Sequence, residues 1–289
     1  MRSRYDVVLD DNRLLTVDVS GAPDGVPVFL LHGTPGSRRG PKPRTSVLYR
    51  LGVQLICYDR PGYGGSTRRV GRLVADAAVD ISAIADRLGI GRFSIVGRSG
   101  GGPHALASIA LLADRVDRAA VLVGLAPANA EGLDWFEGMS DGNVEEYSTA
   151  DQSVADLTAG LKAQASRTAA NPESLIEALR PQMSGPDLKF VQSTLFRRLL
   201  SASYEEALRA GPFGWIDDVL AFRADWGFRL ADITNPVLLW HGADDTFSPA
   251  QHSRWLADQI PGAVVAVQDN AAHFAAVEVL PTILGWLTA

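Results

Sequence analysis

Phe93-Ser94-Ile95-Val96-Gly97-Arg98-Ser99-Gly100-Gly101-Gly102-Pro103-His104 decides the fold of this 289-residue chain. Phe93 to Val96 is an apolar, β-rich run that reads as a buried strand, and the stretch from Pro103 to Ala113 reads as a helix. Between them stands Gly97-Arg98-Ser99-Gly100-Gly101, of the form Gly-x-Ser-x-Gly. The pattern alone is weak. Set between a strand and a helix, it describes a sharp turn that strains the backbone of a serine and exposes its hydroxyl. Small residues are needed on both sides because neighbouring backbone comes close. The start of the helix brings free N–H groups near any oxyanion.

Working outward, the same alternation extends along most of the chain. Tyr5 to Leu9 and Arg13 to Val19 flank Asp10-Asp11-Asn12 and read as an antiparallel hairpin. Val26 to Leu31, Val53 to Tyr58, Ala119 to Val123, Pro236 to Trp240 and Ala263 to Val267 are apolar runs that suit strands buried on both faces of a parallel sheet. Helical stretches run over Leu73 to Leu88, ending at Gly89, and over His104 to Ala113 and Ala250 to Gln259. Strands alternating with helices predict an α/β fold with a mostly parallel sheet and helices on both faces. The alternation fails between about Ala130 and Ile233, a helical stretch rich in large aromatics. The expected organisation is a core of residues 1–129 and 234–289 with a helical cap over 130–233.

A serine needs a base, and the base an orienting acid. Of the five histidines, His32 and His241 end strands, His104 and His252 lie on helices, and His273 follows the last predicted strand. In a Ser–acid–His order the base lies downstream of an acid that itself follows a strand. Asp244 and Asp245 meet that condition, and His273 then follows one helix and one strand later. This brings three strand ends to one edge of the sheet.

With these elements placed, the chain resembles the α/β-hydrolase fold family. The resemblance rests on Leu31-His32-Gly33-Thr34-Pro35-Gly36, Asp59-Arg60-Pro61-Gly62-Tyr63-Gly64-Gly65-Ser66, the Ser99 turn, His241-Gly242-Ala243-Asp244-Asp245-Thr246-Phe247-Ser248-Pro249 and His273-Phe274, and it covers nearly the whole chain. It implies eight strands, a cap inserted after the sixth, Ser99 as nucleophile, His273 as base and Asp245, rather than Asp244, as acid. It also implies an oxyanion hole formed by the N–H groups of Thr34 and Gly100. His32 is expected to be a structural partner, and Asp59 with Arg60 to tie down a turn. Ser37 to Arg44, with four cations, is expected to be a solvated loop. Trp135, Phe136, Trp215, Phe247 and Phe274 are the expected pocket walls.

The expected function is cofactor-free hydrolysis of a small or medium carboxylic ester, thioester or lactone. The His32-Gly33-Thr34-Pro35-Gly36 loop is also similar to that of proline iminopeptidases, although Gly100 stands where those enzymes have tryptophan. Non-hydrolytic members of the fold (lyase, cyclase, cofactor-free oxygenase) share the same serine and histidine. A ligand receptor is a further alternative, disfavoured by an intact set of nucleophile, base and acid. Haloalkane dehalogenases and epoxide hydrolases use an aspartate nucleophile, which Ser99 argues against.

Composition narrows the partners. With 46% hydrophobic and 21% charged residues, the chain is that of a globular protein. A formal net charge of −6 disfavours a nucleic-acid partner. The single cysteine, Cys57, allows neither an internal disulfide nor a cysteine zinc site. There is no apolar leader and no run long enough to span a membrane, so a cytoplasmic protein acting on a small molecule is expected. No metal, nucleotide or flavin motif stands out, so no cofactor is expected. Nothing in the sequence specifies an oligomeric state.

Overall fold

The computed structural model describes residues 2–289. Eight strands form one sheet in the order β1-β2-β4-β3-β5-β6-β7-β8. They are β1 (Arg2–Val8), β2 (Leu14–Gly21), β3 (Val26–Leu31), β4 (Val53–Tyr58), β5 (Phe93–Arg98), β6 (Val116–Leu122), β7 (Val237–Gly242) and β8 (Val264–Gln268). β2 runs antiparallel to both its neighbours, and the remaining pairs are parallel. The first hairpin turns at Asn12, whose φ of 64° an asparagine tolerates.

The continuous apolar runs divide by alternation between two packing faces. Phe29, Leu31, Phe93, Ile95 and Val121 join one cluster, while Val28, Leu30, Val96, Ala120 and Leu122 join the other. Helices α1 (Thr45–Arg50) and α11 (Ala276–Leu287) contribute to the second cluster, and α2 (Ala77–Arg87), α3 (Gly101–Leu111) and α10 (Gln251–Gln259) to the first. The last strand departs from expectation. β8 is the edge of the sheet, and Val264 and Val265 are exposed because no strand lies beyond it. The predicted Leu73–Leu88 helix divides into a 3-10 turn at Val74–Asp76 and α2, which does end before a left-handed Gly89.

Between β6 and β7 the chain forms α4 (Asp141–Gln152), α5 (Val154–Ala170), α6 (Ser174–Leu179), α7 (Gly185–Gln192), α8 (Thr194–Ala207) and α9 (Phe213–Arg223). No described residue of this stretch is in a strand. Its buried side chains, among them Leu157, Leu161, Phe196, Leu200 and Phe222, belong to the same apolar cluster as the first face of the sheet. The insertion therefore shares a core with the sheet.

A polar anchor accompanies this apolar contact. Asp218 of α9 is fully buried and accepts hydrogen bonds from Arg60, Arg72, Tyr63, Thr34 and His104. Burial alone would raise its pKa, but the adjacent Arg60 and Arg72 guanidiniums hold it well below the usual carboxylate range. Removing one member of such a network leaves buried charge uncompensated. Asp218→Asn is expected to cost about 3–5 kcal/mol in urea unfolding, whereas Asp151→Asn, which breaks the more exposed pair with Arg223, should cost about 0–1 kcal/mol. Equal losses would contradict this ranking.

Candidate active site

Ser99 sits between β5 and α3 with φ of +53°, in the left-handed region that costs a non-glycine residue energy. Its N–H donates to the carbonyl of Leu122 and its own carbonyl accepts from Gly102, each at 2.8 Å, so both sides of the turn are pinned. The glycines around it are steric requirements. A β-carbon at Gly97 would collide with the backbone of Gly101, and one at Gly101 with the carbonyl of Leu31. α3 starts at Gly101, two to three residues earlier than the sequence suggested, which places its N-terminus directly behind Ser99.

Asp245 follows β7 in a loop that fixes both its oxygens. Oδ1 accepts the N–H groups of Phe247 (2.8 Å) and Ser248 (3.1 Å), and Oδ2 accepts Nδ1 of His273 at 2.8 Å. Burial opposes the charge on Asp245, yet His273 and His241 outweigh it and hold the carboxylate far below its ordinary pKa. An ionised carboxylate only accepts, so His273 donates from Nδ1 and its Nε2 carries the lone pair in the neutral ring. Burial pushes the His273 pKa down, but the Asp245 charge prevails and raises it above 6.5. Asp244 takes no part in this contact; its N–H donates to the carbonyl of Ala271.

Ser99 and His273 line one cavity of about 510 Å³, together with Thr34 and Gly100. The backbone N–H groups of Thr34 and Gly100 donate to no other described residue. A β-carbon at Gly100 would collide with the Thr34 side chain, so the two loops approach closely. Thr34 Oγ1 donates to Asp218 at 2.5 Å and accepts from Arg60 at 3.1 Å, which fixes the loop that carries its N–H.

Three of the five expected aromatic walls, Trp215, Phe247 and Phe274, line the cavity. Trp135 and Phe136 do not. Trp135 is buried edge-on against Tyr147, Phe136 and His252, with the Arg223 guanidinium over its ring and its indole N–H on the carbonyl of Ala126. It packs the insertion onto the core instead of facing the cavity. His32 is structural: Nδ1 contacts the Gly33 carbonyl and Nε2 accepts from the Arg60 N–H, while burial holds its pKa well down. Asp59 and Arg60 do tie down their turn, but through Arg38 and Asp218 respectively. The Ser37–Arg44 loop is not simply solvated, because Arg38 is buried among Asp18, Asp59 and Glu206.

Two carboxyls of the insertion escaped the sequence reading. Asp187 of α7 is buried and accepts the Phe274 N–H at 2.8 Å, which anchors the turn that carries His273. Glu146 of α4 lines the cavity and accepts the Trp215 indole N–H at 3.0 Å. Both lie on amphipathic helices, where an acid is read as solvent-facing unless its partner is known. Burial raises the Glu146 pKa to about 7 against the weaker opposing effect of Trp215. A folded-state pKa above the unfolded one means that stability falls as pH rises from 4.5 through 7. Glu146→Gln should therefore gain stability relative to wild type over that interval in a pH series of thermal melts, and a constant difference would refute the shift.

The model of the alpha/beta hydrolase fold family matches residues 26–278. A 2-hydroxy-6-oxononadienedioate/2-hydroxy-6-oxononatrienedioate hydrolase of Burkholderia vietnamiensis is 26% identical over 94% of this chain and 90% of its own length. A pimeloyl-[acyl-carrier protein] methyl ester esterase of Nitrosomonas europaea is 28% identical over 74% of this chain and 76% of its own. A solved hydrolase of Pseudomonas aeruginosa superposes with a TM-score of 0.71 at 22% identity, over 98% of this chain and 96% of that one. The chain belongs to the α/β-hydrolase fold family.

Proposed function

We propose that this protein is a serine hydrolase that cleaves a carboxylic ester, thioester or lactone through an acyl-enzyme on Ser99. One observation carries the reading. A serine on a left-handed strand-to-helix turn opens onto the same cavity as a histidine whose far nitrogen is held by a buried aspartate. The esterase named among the relatives is consistent with cleavage of an ester, and the dioate hydrolase with the hydrolase class alone.

In this mechanism His273 Nε2 accepts the Ser99 proton as Oγ attacks the carbonyl carbon. The tetrahedral oxyanion is bound by the N–H groups of Thr34 and Gly100, donors fixed before reaction and worth a few kcal/mol each. Asp245 holds the ring orientation and stabilises the imidazolium. His273 then protonates the departing oxygen or sulfur. Water, deprotonated by the same nitrogen, attacks the acyl-enzyme, and the proton returns to Ser99 as the acid leaves.

Treatment with a fluorophosphonate should add one mass adduct, mapped to Ser99 and absent in His273→Ala. Ser99→Ala should lower esterase kcat by about ten thousand-fold or more with an unchanged melting temperature. Labelling at another residue, or full activity in Ser99→Ala, would sink the assignment. Because the base acts when neutral, kcat/KM should rise with pH through an apparent pKa above 6.5. In Asp245→Asn the opposing effects of burial and Arg98 remain, so that limb should move to lower pH as the residual rate falls. An unmoved limb would show that another group titrates.

A further inference from the structure

The side chain next to Ser99 is a cation without an acid. Arg98 ends β5 and lines both the cavity beside Ser99 and a second, small pocket bordered by Gly40, Pro41 and Cys57. Among the described residues its guanidinium makes no ion pair, and its one hydrogen bond runs from Nη1 to the carbonyl of Pro41 at 3.4 Å. Its Nε and Nη2 groups have no partner, yet they are not sealed inside the protein. The chain treats its buried arginines differently. Arg13 meets Asp80, Arg38 meets Asp59 and Glu206, and Arg60 and Arg72 meet Asp218.

The surroundings of Arg98 offer no compensating charge. Burial lowers its pKa, and only the Tyr204 hydroxyl and the Cys57 thiol oppose that. Tyr204 of α8 lines the same cavity, and its hydroxyl makes no hydrogen bond to a described residue. Burial pushes the Tyr204 pKa up to about 12, so at neutral pH the hydroxyl is a donor and not an anion. Two unspent donors, one of them cationic, thus border one space. An unpaired guanidinium in a wall of low dielectric is unfavourable until a ligand brings the opposite charge. Glu145, Glu146 and Asp156 also line the cavity, which favours a singly charged group over a dianion.

We propose that Arg98 and the Tyr204 hydroxyl form a subsite for a carboxylate carried by the substrate, so that the substrate is an ester that also bears a free carboxylate. A guanidinium fork matches the two oxygens of that group. The proposal deepens the hydrolase reading and rests on it for the ester; the subsite itself can be tested without turnover.

The test is calorimetric titration of Ser99→Ala protein with monomethyl glutarate and with methyl glutaramate, its neutral amide counterpart. The half-ester should bind about tenfold or more tightly, as a charged hydrogen bond implies. Arg98→Met on the same background should erase the preference, Arg98→Lys should keep part of it, and Tyr204→Phe should reduce it several-fold. Equal affinities, no binding of the half-ester, or an undiminished preference in a folded Arg98→Met protein would overturn the subsite. If the methionine variant does not fold, an undiminished preference in Tyr204→Phe overturns it instead. Turnover by wild type is read separately. Arg98-dependent binding without hydrolysis would leave the subsite standing and remove the hydrolase reading, whereas hydrolysis with no preference for charge would do the reverse.

Discussion

Asp218 is the contact on which the cavity's geometry turns. A single buried carboxylate receives two guanidiniums, a phenol, a threonine hydroxyl and an imidazole. These donors come from the loop after β3, the turn after β4, the approach to α2, and α3, while Asp218 itself comes from α9 of the insertion. Burial of so much charge is tolerated only because the set is nearly complete. Arg60 also donates to the carbonyls of His32 and Gly33, so the network reaches the backbone of the loop that ends at Thr34. His104, pushed down to about 4 mainly by burial, stays neutral and serves as a hydrogen-bonding neighbour, not a third cation. The position of the Thr34 N–H, and the seating of α9 beside it, thus depend on this anchor.

Much of this could be read from the chain because the motifs are local. The Ser99 turn needs glycines at fixed offsets, and the residues that satisfy it lie within five positions of each other. The Asp245 loop is equally local: Oδ1 is satisfied by N–H groups two and three residues on. What escaped depends on partners far away in sequence. Asp218 lies 184 residues from Thr34, and Asp187 lies 87 residues from Phe274. On a helix, periodicity marks such acids only as polar. Trp135 misled for the opposite reason: a large aromatic in an insertion suggests a pocket wall, and only its indole bond to Ala126 and its ring neighbours reveal a packing role. Arg38 misled because a basic loop looks solvated until Asp18, Asp59 and Glu206 are seen around it.

The cavity is electrically uneven. Carboxyls contributed by α4 and α5 line it together with a guanidinium from β5, and none of those acids pairs with that cation. A wall of this kind cannot be neutral in its preferences. The anchoring of the His273 turn by Asp187 adds a second link between the insertion and the strand ends, independent of Asp218. The insertion therefore touches both sides of the cavity: the loop after β3 through α9, and the turn after β8 through α7.

The shared core has a consequence for synthesis. β6 pairs with β7 through Ala119, Ala120, Val121 and Leu122, yet the whole insertion separates the two strands in the chain. During translation β6 is complete long before β7 leaves the ribosome, and in that interval it is an apolar edge strand with unmatched backbone groups. The insertion emerges next, and its apolar faces need the same half-built sheet. A nascent chain at this stage already carries Ser99 and the Asp218 cluster but lacks Asp245 and His273. It is exposed to aggregation before the cavity is complete, so β6 stays vulnerable until β7 arrives to cover its edge.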